Sequence, residues 1–253
     1  MIEESFFIGD SVIHRLDPRV RTVFAGVFSI VVATSDRLVA LVPAMIIAVS
    51  FLLLARLPFR RVILRLLMVN GLILFLWFFL PFTSEGESLF TVGPLKGTTE
   101  GIIHSTAITI KSNTIVMTLM AFVATMPIFT LGRAMRSLHI PHKIVHLISF
   151  AYRYIHVIHT EYGRLMNAMK IRGFCPKNNL HTYRTYAYLV GMLLVKSYDR
   201  ARRVQAAMLC RGFNGRFYDL GEFFLKTFDR LASGLLFLAA ACIGLLQWTR
   251  IIY

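Results

Sequence analysis

The sequence predicts an all-α integral membrane protein with about five transmembrane helices and two further long helices on the cytoplasmic side. Of its 253 residues, 56% are hydrophobic and only 16% are charged, whereas charged residues make up about a quarter of an ordinary soluble domain. The formal net charge is nevertheless +15. Because charges are costly inside a bilayer, the basic residues must gather outside the apolar runs. This composition excludes an ordinary soluble globule, and its high hydrophobicity excludes a disordered chain.

Apolar runs that approach the ~20 residues needed to cross a bilayer as a helix recur along the chain. We predict transmembrane spans at about 20–34, 38–55, 62–82, 101–129 and 233–253. Trp77, Trp248 and Tyr253 stand near the ends of these runs, where aromatic side chains anchor helices at the interface.

Two other segments are predicted to form long helices, at about 142–172 and 182–211. Charges interrupt both before an apolar run reaches spanning length, so we interpret them as amphipathic or half-embedded helices. Two further full spans are the alternative interpretation. A short amphipathic segment at about 131–138 is predicted to precede them.

The distribution of basic residues predicts the orientation, because Lys and Arg favour cytoplasmic loops. Residues 131–232 carry 17 of the 28 Lys and Arg but only 5 of the 13 Asp and Glu. With a cytoplasmic N-terminus, this region and the arginines around 15–21 and 56–61 all fall on one side, and the acidic loop 83–100 faces outward as a small hairpin. We therefore divide the chain into an N-terminal transmembrane part (1–130), a basic cytoplasmic region (131–232) and a C-terminal transmembrane helix (233–253).

A short internal repeat closes both long basic helices. The segment AMKIRGF at 168–174 is matched 39 residues later by AMLCRGF at 207–213, with five of seven positions identical. Gly173 and Gly212 are suited to the left-handed conformation that ends a helix, and Arg172 and Arg211 stand where the helix dipole favours a cation. One copy would suggest only a helix stop. Two copies at equivalent helix ends favour docking to two similar partner subunits.

These motifs resemble the T component of energy-coupling factor (ECF) transporters, and most closely its CbiQ-like members. Leu16-Asp17-Pro18-Arg19 is similar to a motif near the family's N-terminus. Ile171-Arg172-Gly173 and Cys210-Arg211-Gly212 are similar to its pair of Ala-Arg-Gly triplets, although both lack the Ala. Such triplets lie on two coupling helices, the name that we use from here on for the two long basic helices.

The resemblance implies a multi-pass scaffold in a prokaryotic cell membrane, without catalytic residues. It implies that two ATP-binding-cassette (ABC) ATPases dock at the repeat, and that a substrate-binding membrane subunit completes the complex. ATP is then bound by the partner ATPases, and this chain binds no cofactor directly. Cobalt is the first expected substrate and nickel the second, with a vitamin importer as the alternative. The expected ATPase contacts are Ala168, Arg172, Gly173, Ala207, Arg211 and Gly212.

Other signals are weaker. The sequence has no G-x-x-x-x-G-K-[ST] phosphate loop. The histidine pairs 142/146 and 156/159 each share a helix face, but no Cys or carboxylate completes an evident ligand set, so we expect no metal site. Aromatic residues interleave with the arginines, as in proteins that bind single-stranded nucleic acid. Placement between membrane spans argues against nucleic acid and is compatible with contact to anionic lipids.

One polar face lies on the fourth predicted span. His104, Lys111, Thr118 and Thr125 recur every seven residues, so they share one side of a helix. Lys111 either extends to the outer interface, or the face points into the bundle or toward the substrate-binding subunit. This face is also the one feature that hints at a self-sufficient permease, which needs paired polar groups near the bilayer midplane.

Overall fold

The computed structural model describes residues 11–35, 37–83, 88–92, 95–138, 140–215 and 227–248. The elements are, in chain order, α1 (Val12–Arg15), α2 (Pro18–Thr34), α3 (Leu38–Leu54), α4 (Phe59–Thr83), β1 (Ser88–Val92), β2 (Leu95–Thr98), α5 (Thr99–Phe122), α6 (Ile128–Ser137), α7 (His142–Ile171), α8 (Leu180–Cys210) and α9 (Thr227–Trp248). The chain forms two compact units. One contains α7 and α8, which are the coupling helices, and the other contains the remaining elements.

Aromatic rings form the centre of the larger unit. The ring of Phe24 on α2 lies 5.5 Å from Phe51 on α3 and 5.0 Å from Phe122 on α5, between centroids. Phe237 on α9 approaches Phe24 at 6.2 Å. The edge-to-face arrangement of these pairs is the one that aromatic quadrupoles favour. Small residues recur every four positions on the buried face of α3, where they permit close helix packing: Ala40, Ala44 and Ala48.

The Leu-Asp-Pro-Arg motif forms the start of α2. Asp17 is the N-cap, and its side chain accepts a hydrogen bond of 2.8 Å from the backbone N–H of Arg19. Pro18 occupies the first helical position, where its missing N–H costs nothing. The backbone N–H of Asp17 donates to the carboxylate of Asp229 on α9, at 3.2 Å. The motif therefore caps one helix and ties it to the start of another.

Helices α4 and α5 approach each other closely at Gly101. A Cβ atom at this position would stand 2.7 Å from the Cα atom of Pro81 and 2.9 Å from the carbonyl oxygen of Leu80. Next to this contact, the hydroxyl of Thr98 donates to the carbonyl of Pro81 at 3.2 Å. Only glycine fits here, because any side chain would meet backbone atoms of α4.

Helix α4 is apolar and mostly exposed. Among the described residues, Phe59–Pro81 is the one helical segment that is both long and apolar enough to cross a membrane, and only 11% of its most apolar window is buried. Leu38–Leu54 is apolar but shorter. The number of spans therefore stays a proposal.

Several predicted boundaries are corrected by the structure. The fourth run, 101–129, is not one helix: α5 ends at Phe122 and α6 starts at Ile128 rather than at 131. Pro127 supplies the reason, because in a continuous helix its ring would clash with the carbonyl four residues earlier, at Val123, which is the C-cap of α5. The last helix starts at Thr227 rather than at 233. The predicted hairpin is present as β1 paired antiparallel with β2. Tyr253 and the predicted end of the last span lie outside the described residues.

The unit of α7 and α8 contains a short link and an open cavity. The backbone N–H of Lys177 in the link donates to the hydroxyl of Thr182 at 3.1 Å. Phe174 packs edge-on against Tyr186 of α8, with centroids 5.7 Å apart. An apolar cavity of about 1030 Å³ lies between the two helices. The link is thus fixed to the first turns of α8, whereas much of the apolar surface between the helices stays open.

An amide pair joins α4 to α5. The side-chain amide of Asn113 donates to Asn70 Oδ1 at 2.9 Å, and that of Asn70 donates to Asn113 Oδ1 at 3.2 Å. Asn113 also donates to the carbonyl of Thr109 at 2.9 Å. Asn70 lies midway along the apolar segment Phe59–Pro81, so no water is available there to replace a lost partner if α4 crosses the membrane.

We expect Asn70→Ala and Asn113→Ala each to lower the free energy of unfolding in mixed micelles by about 1–2 kcal/mol, because each removes the interhelical partner of the other amide. The double variant should lose less than the sum, with a coupling energy of about 0.6 kcal/mol. Leu72→Ala, at a position that is 74% exposed on the same helix, is the control without an interhelical partner. If the losses of the two single variants added up strictly to that of the double variant, the two amides would not interact.

Candidate partner-docking site

The first coupling helix ends in a Schellman cap. Gly173 has φ of +77°, a left-handed conformation that is readily open to glycine and costly for most other residues. Its backbone N–H donates to the carbonyl of Lys170 at 3.0 Å, and the N–H of Phe174 donates to that of Met169 at 3.1 Å. This pair of bonds defines the Schellman motif. Arg172 is the residue at which the helix stops.

The second coupling helix ends in the same way. Gly212 also has φ of +77°. Its N–H donates to the carbonyl of Leu209 at 3.0 Å, and the N–H of Phe213 donates to that of Met208 at 3.1 Å. The sequence repeat is therefore also a repeat of backbone geometry, and Arg211 occupies the C-cap position that Arg172 occupies in the first copy.

The two copies also share one pattern of exposure. In each, the Met and the Phe are half-buried, whereas the Ala, the Arg, the Gly and the two variable residues are exposed. Ala168 precedes Arg172 by four residues, as Ala207 precedes Arg211, so each small side chain lies on the face of its arginine. Each helix end thus presents a guanidinium beside an unobstructed surface.

The two phenylalanines are anchored differently. Phe174 packs on Tyr186, which holds the first cap against α8. Phe213 instead lines the cavity between α7 and α8, together with Phe150, Tyr154 and Met208. The caps are therefore equivalent in backbone and exposure but not in their apolar support.

The site is strongly cationic. Residues 142–215 contain 12 Lys and Arg but two Asp and Glu. One of these acids, Glu161, accepts a hydrogen bond from Lys196 across the two helices. This bond lowers the pKa of Glu161, the charges of Arg164 and Arg200 act in the same direction, and partial burial opposes them. The carboxylate stays ionised at neutral pH, and the net charge of the segment is positive.

The residues of the polar face predicted on the fourth span differ in their surroundings. The ammonium of Lys111 lies 3.3 Å from the carbonyl oxygen of Ala33, near the end of α2. Thr118 is buried, and its hydroxyl donates to the carbonyl of Thr114 at 2.9 Å. His104 is exposed. Lys111 therefore contacts the end of α2, and the roles of these three residues stay predictions.

Within the described residues, the structure contains no group of three or more His, Cys, Asp or Glu side chains that could hold a metal ion. What the ends of α7 and α8 offer chemically is charge: Arg172 and Arg211 are exposed, and their guanidinium groups are suited to carboxylates or to backbone carbonyls.

Two polar contacts between helices are not predicted by any sequence pattern considered above: the pair of Asn70 with Asn113, and that of Glu161 with Lys196. A polar residue in the middle of an apolar run is a signal that could have drawn attention to Asn70. For Glu161, the corresponding signal is that it is one of two acids in the basic segment 142–215. Neither signal identifies the partner, which comes from another helix.

A predominantly helical chain with a long apolar helix that is exposed along its length has the architecture of a helical membrane protein. The family model described as CbiQ, cobalt transport protein, matches residues 9–219. The chain therefore belongs to the CbiQ family, the transmembrane T components of ECF transporters.

Similar proteins agree with this assignment. The energy-coupling factor transporter transmembrane protein EcfT of Lactococcus lactis subsp. cremoris is 25% identical over 85% of this chain and 85% of its own length. That of Thermosediminibacter oceani is 28% identical over 82% of both chains. The nickel permease LarQ of Lactiplantibacillus plantarum is 32% identical, over 37% of this chain and 33% of its own length.

The caps predict a specific backbone effect. Because no atom lies within 4 Å of a Cβ placed at Gly173 or Gly212, Gly173→Ala and Gly212→Ala should each destabilise through the left-handed conformation alone, by about 1–2 kcal/mol. Gly191→Ala, in open space inside α8, should instead stabilise by about 0.5–1 kcal/mol. The measurement is the free energy of unfolding of the purified chain. Equal effects at all three positions would contradict the assigned caps.

Proposed function

We propose that this protein is the coupling scaffold of an ECF-type importer, which holds two ABC ATPases at Arg172 and Arg211. The movement of these ATPases would pass through α7 and α8 to a membrane subunit that binds the substrate. The observation that carries the proposal is the repeated cap, which presents two exposed arginines at helix ends of the same backbone geometry.

Charge and geometry support docking at these two positions. An arginine at a helix C-terminus is stabilised by the helix dipole, and its planar fork can form paired hydrogen bonds with a carboxylate. A cationic surface favours partners that present acidic grooves. The small Ala168 and Ala207 leave room beside each guanidinium for the wall of such a groove.

Two equal docking sites on one chain suggest two similar partners. If the two ATPases are joined to each other, binding of the first raises the effective concentration of the second at its own site. Such a pair binds the scaffold more tightly than either ATPase alone. The sequence lacks the phosphate loop that an ATPase of this type needs. ATP therefore belongs to the partners in this proposal, and the chain itself is non-catalytic and binds no cofactor directly.

For the substrate, we infer a transition-metal ion, with cobalt ahead of nickel. The description of the matching family as a cobalt transport protein supports cobalt, and the partial similarity to a nickel permease supports nickel. Recognition of the ion would belong to the membrane partner. A vitamin importer stays the alternative, and identification of the membrane subunit that co-purifies would decide between them.

For the topology, we propose five spans, formed by α2, α3, α4, α5 and α9, in a prokaryotic cell membrane with the N-terminus in the cytoplasm. Helices α2 and α3 have 17 residues each, at the lower end of what crosses a bilayer. The basic segments support this orientation through the positive-inside rule. The apolar surface of α4 would contact lipid, the basic surfaces would contact anionic headgroups, and the exposed His104 would be available to the substrate-binding subunit.

The proposed topology places Arg60 and Glu87 on opposite sides of the membrane. In a chain whose three cysteines are replaced by serine, Arg60→Cys should react with a membrane-impermeant thiol reagent only in inverted vesicles. Glu87→Cys, which lies outside the described residues, should react in intact cells. Labelling of both positions from the same side would contradict the five-span arrangement.

Reversal of the two arginine charges tests the docking proposal. Removing one partner of a buried charged contact costs about 2–5 kcal/mol, so Arg172→Glu or Arg211→Glu should each weaken co-purification of the ATPases. The double variant should abolish both co-purification and metal uptake, since no second site remains to retain the complex. If the double variant retained both ATPases and full uptake, the proposal would be wrong, and the repeat would serve only to end the two helices.

Arg203→Glu is the matched control, because it makes the same change of charge at an exposed arginine of α8 outside either cap. It should retain both ATPases. The native thiols next to the caps give a second readout: Cys175 and Cys210 are exposed, and bound ATPases should slow their reaction with a maleimide.

A further inference from the structure

The ion pair between Glu161 and Lys196 connects the two coupling helices. The ammonium of Lys196 on α8 donates to Glu161 Oε1 on α7. The carboxylate is mostly covered, with 13% of its side chain exposed, whereas the lysine side chain is 42% exposed. The other carboxylate oxygen lies 3.5 Å from the guanidinium of Arg164, one turn along α7. One carboxylate thus faces cations from both helices.

Apolar packing contributes little to the contact between these helices. All 31 residues of α8 are described, and only Thr182 and Leu189 are buried. Apolar side chains nearby are left open, including Leu194 at 65% exposure, and the cavity of about 1030 Å³ separates the helices further along. Because so little surface is buried, a charge contact has an unusually large share in fixing where α7 and α8 cross.

Glu161 is one of two acids in residues 142–215, and it lies among cations. The other acid of residues 142–215 is Asp199, which is exposed. Arg200 lines the same cavity as the pair. Without the Glu161 carboxylate, Lys196, Arg164 and Arg200 would repel one another across the crossing, and like charges at this spacing push helices apart.

The pair also lies between the two caps. Glu161 precedes Arg172 by about three helical turns, and Lys196 precedes Arg211 by about four turns. Both segments are uninterrupted helix. A change of angle at the crossing therefore moves both arginines, because each is joined to the pair by a rigid arm.

We propose that the Glu161–Lys196 pair is a fixed pivot between the coupling helices, which sets the separation of Arg172 and Arg211. Glu161 and Lys196 are positioning residues: they would not touch the ATPases, but they hold the two docking arginines at the distance that two ATPases require. The role of the pair in ATPase docking rests on the proposed function, whereas its role in setting the separation of the two arginines does not.

The geometry is tested on the purified full-length chain in lipid nanodiscs, without any partner. After Cys242→Ser, the exposed Cys175 and Cys210 are spin-labelled, and their separation is measured by double electron–electron resonance. We expect one narrow distance distribution. Glu161→Lys should broaden it, and the exchange Glu161→Lys with Lys196→Glu should restore it. Asp199→Lys makes the same change of net charge at the other acid and should leave the distribution narrow.

The function is tested in the assembled transporter. Glu161→Lys should lower uptake roughly tenfold, as expected when two like charges replace an attractive pair, and the exchanged pair should recover most of it. A purely structural loss would not be rescued by exchange of the charges. To test a fixed pivot, Glu161→Cys and Lys196→Cys in a cysteine-free chain are joined by a short reducible cross-linker, and uptake should persist in the cross-linked transporter.

Three results would overturn the pivot: no rescue by the exchanged pair, equal broadening by Asp199→Lys, or loss of uptake on cross-linking that reduction reverses. The last would mean that the helices must separate at this point. A wild-type chain that binds no ATPase would instead refute the proposed function, and the distance measurements on the isolated chain would still decide the pivot.

Discussion

Both coupling helices end through the same pair of backbone hydrogen bonds, and these caps are the constraint on which the candidate site depends. The left-handed glycine reverses the chain direction immediately after the arginine. The guanidinium is therefore left at the helix end, where the macrodipole favours a cation. No other interaction of Arg172 or Arg211 is needed to explain their position, because helix length and the cap together fix it.

The positions of the two caps depend on how the coupling helices are joined to each other. Phe174 and the link fix one cap to the start of α8, whereas Phe213 faces the open cavity. Between them, a single carboxylate on a cationic surface holds the crossing. A unit that buries so little apolar surface gains little stability from packing alone. Electrostatics and external partners then have more influence on its arrangement than in an ordinary core.

The larger unit shows the opposite balance. Its centre is a close-packed aromatic cluster with small residues on α3, and specific polar contacts join its helices, as between Asn70 and Asn113. Such a unit is suited to a rigid support. Under the proposed function, the two kinds of construction match the two tasks of a coupling scaffold, which are anchoring in the membrane and transmission.

The sequence by itself determined the class of protein, the helical segments and the repeated Arg-Gly ends, because apolar periodicity and helix capping are local properties of the chain. It placed Arg172, Gly173, Arg211 and Gly212 at helix ends without any knowledge of the fold. The break at Pro127 was also local, but the continuous apolar run obscured it. Only the tertiary structure decided which polar groups meet across helices: the backbone N–H of Asp17 with the carboxylate of Asp229, Asn70 with Asn113 and Glu161 with Lys196. These contacts depend on the register and crossing of distant segments, which no local pattern encodes.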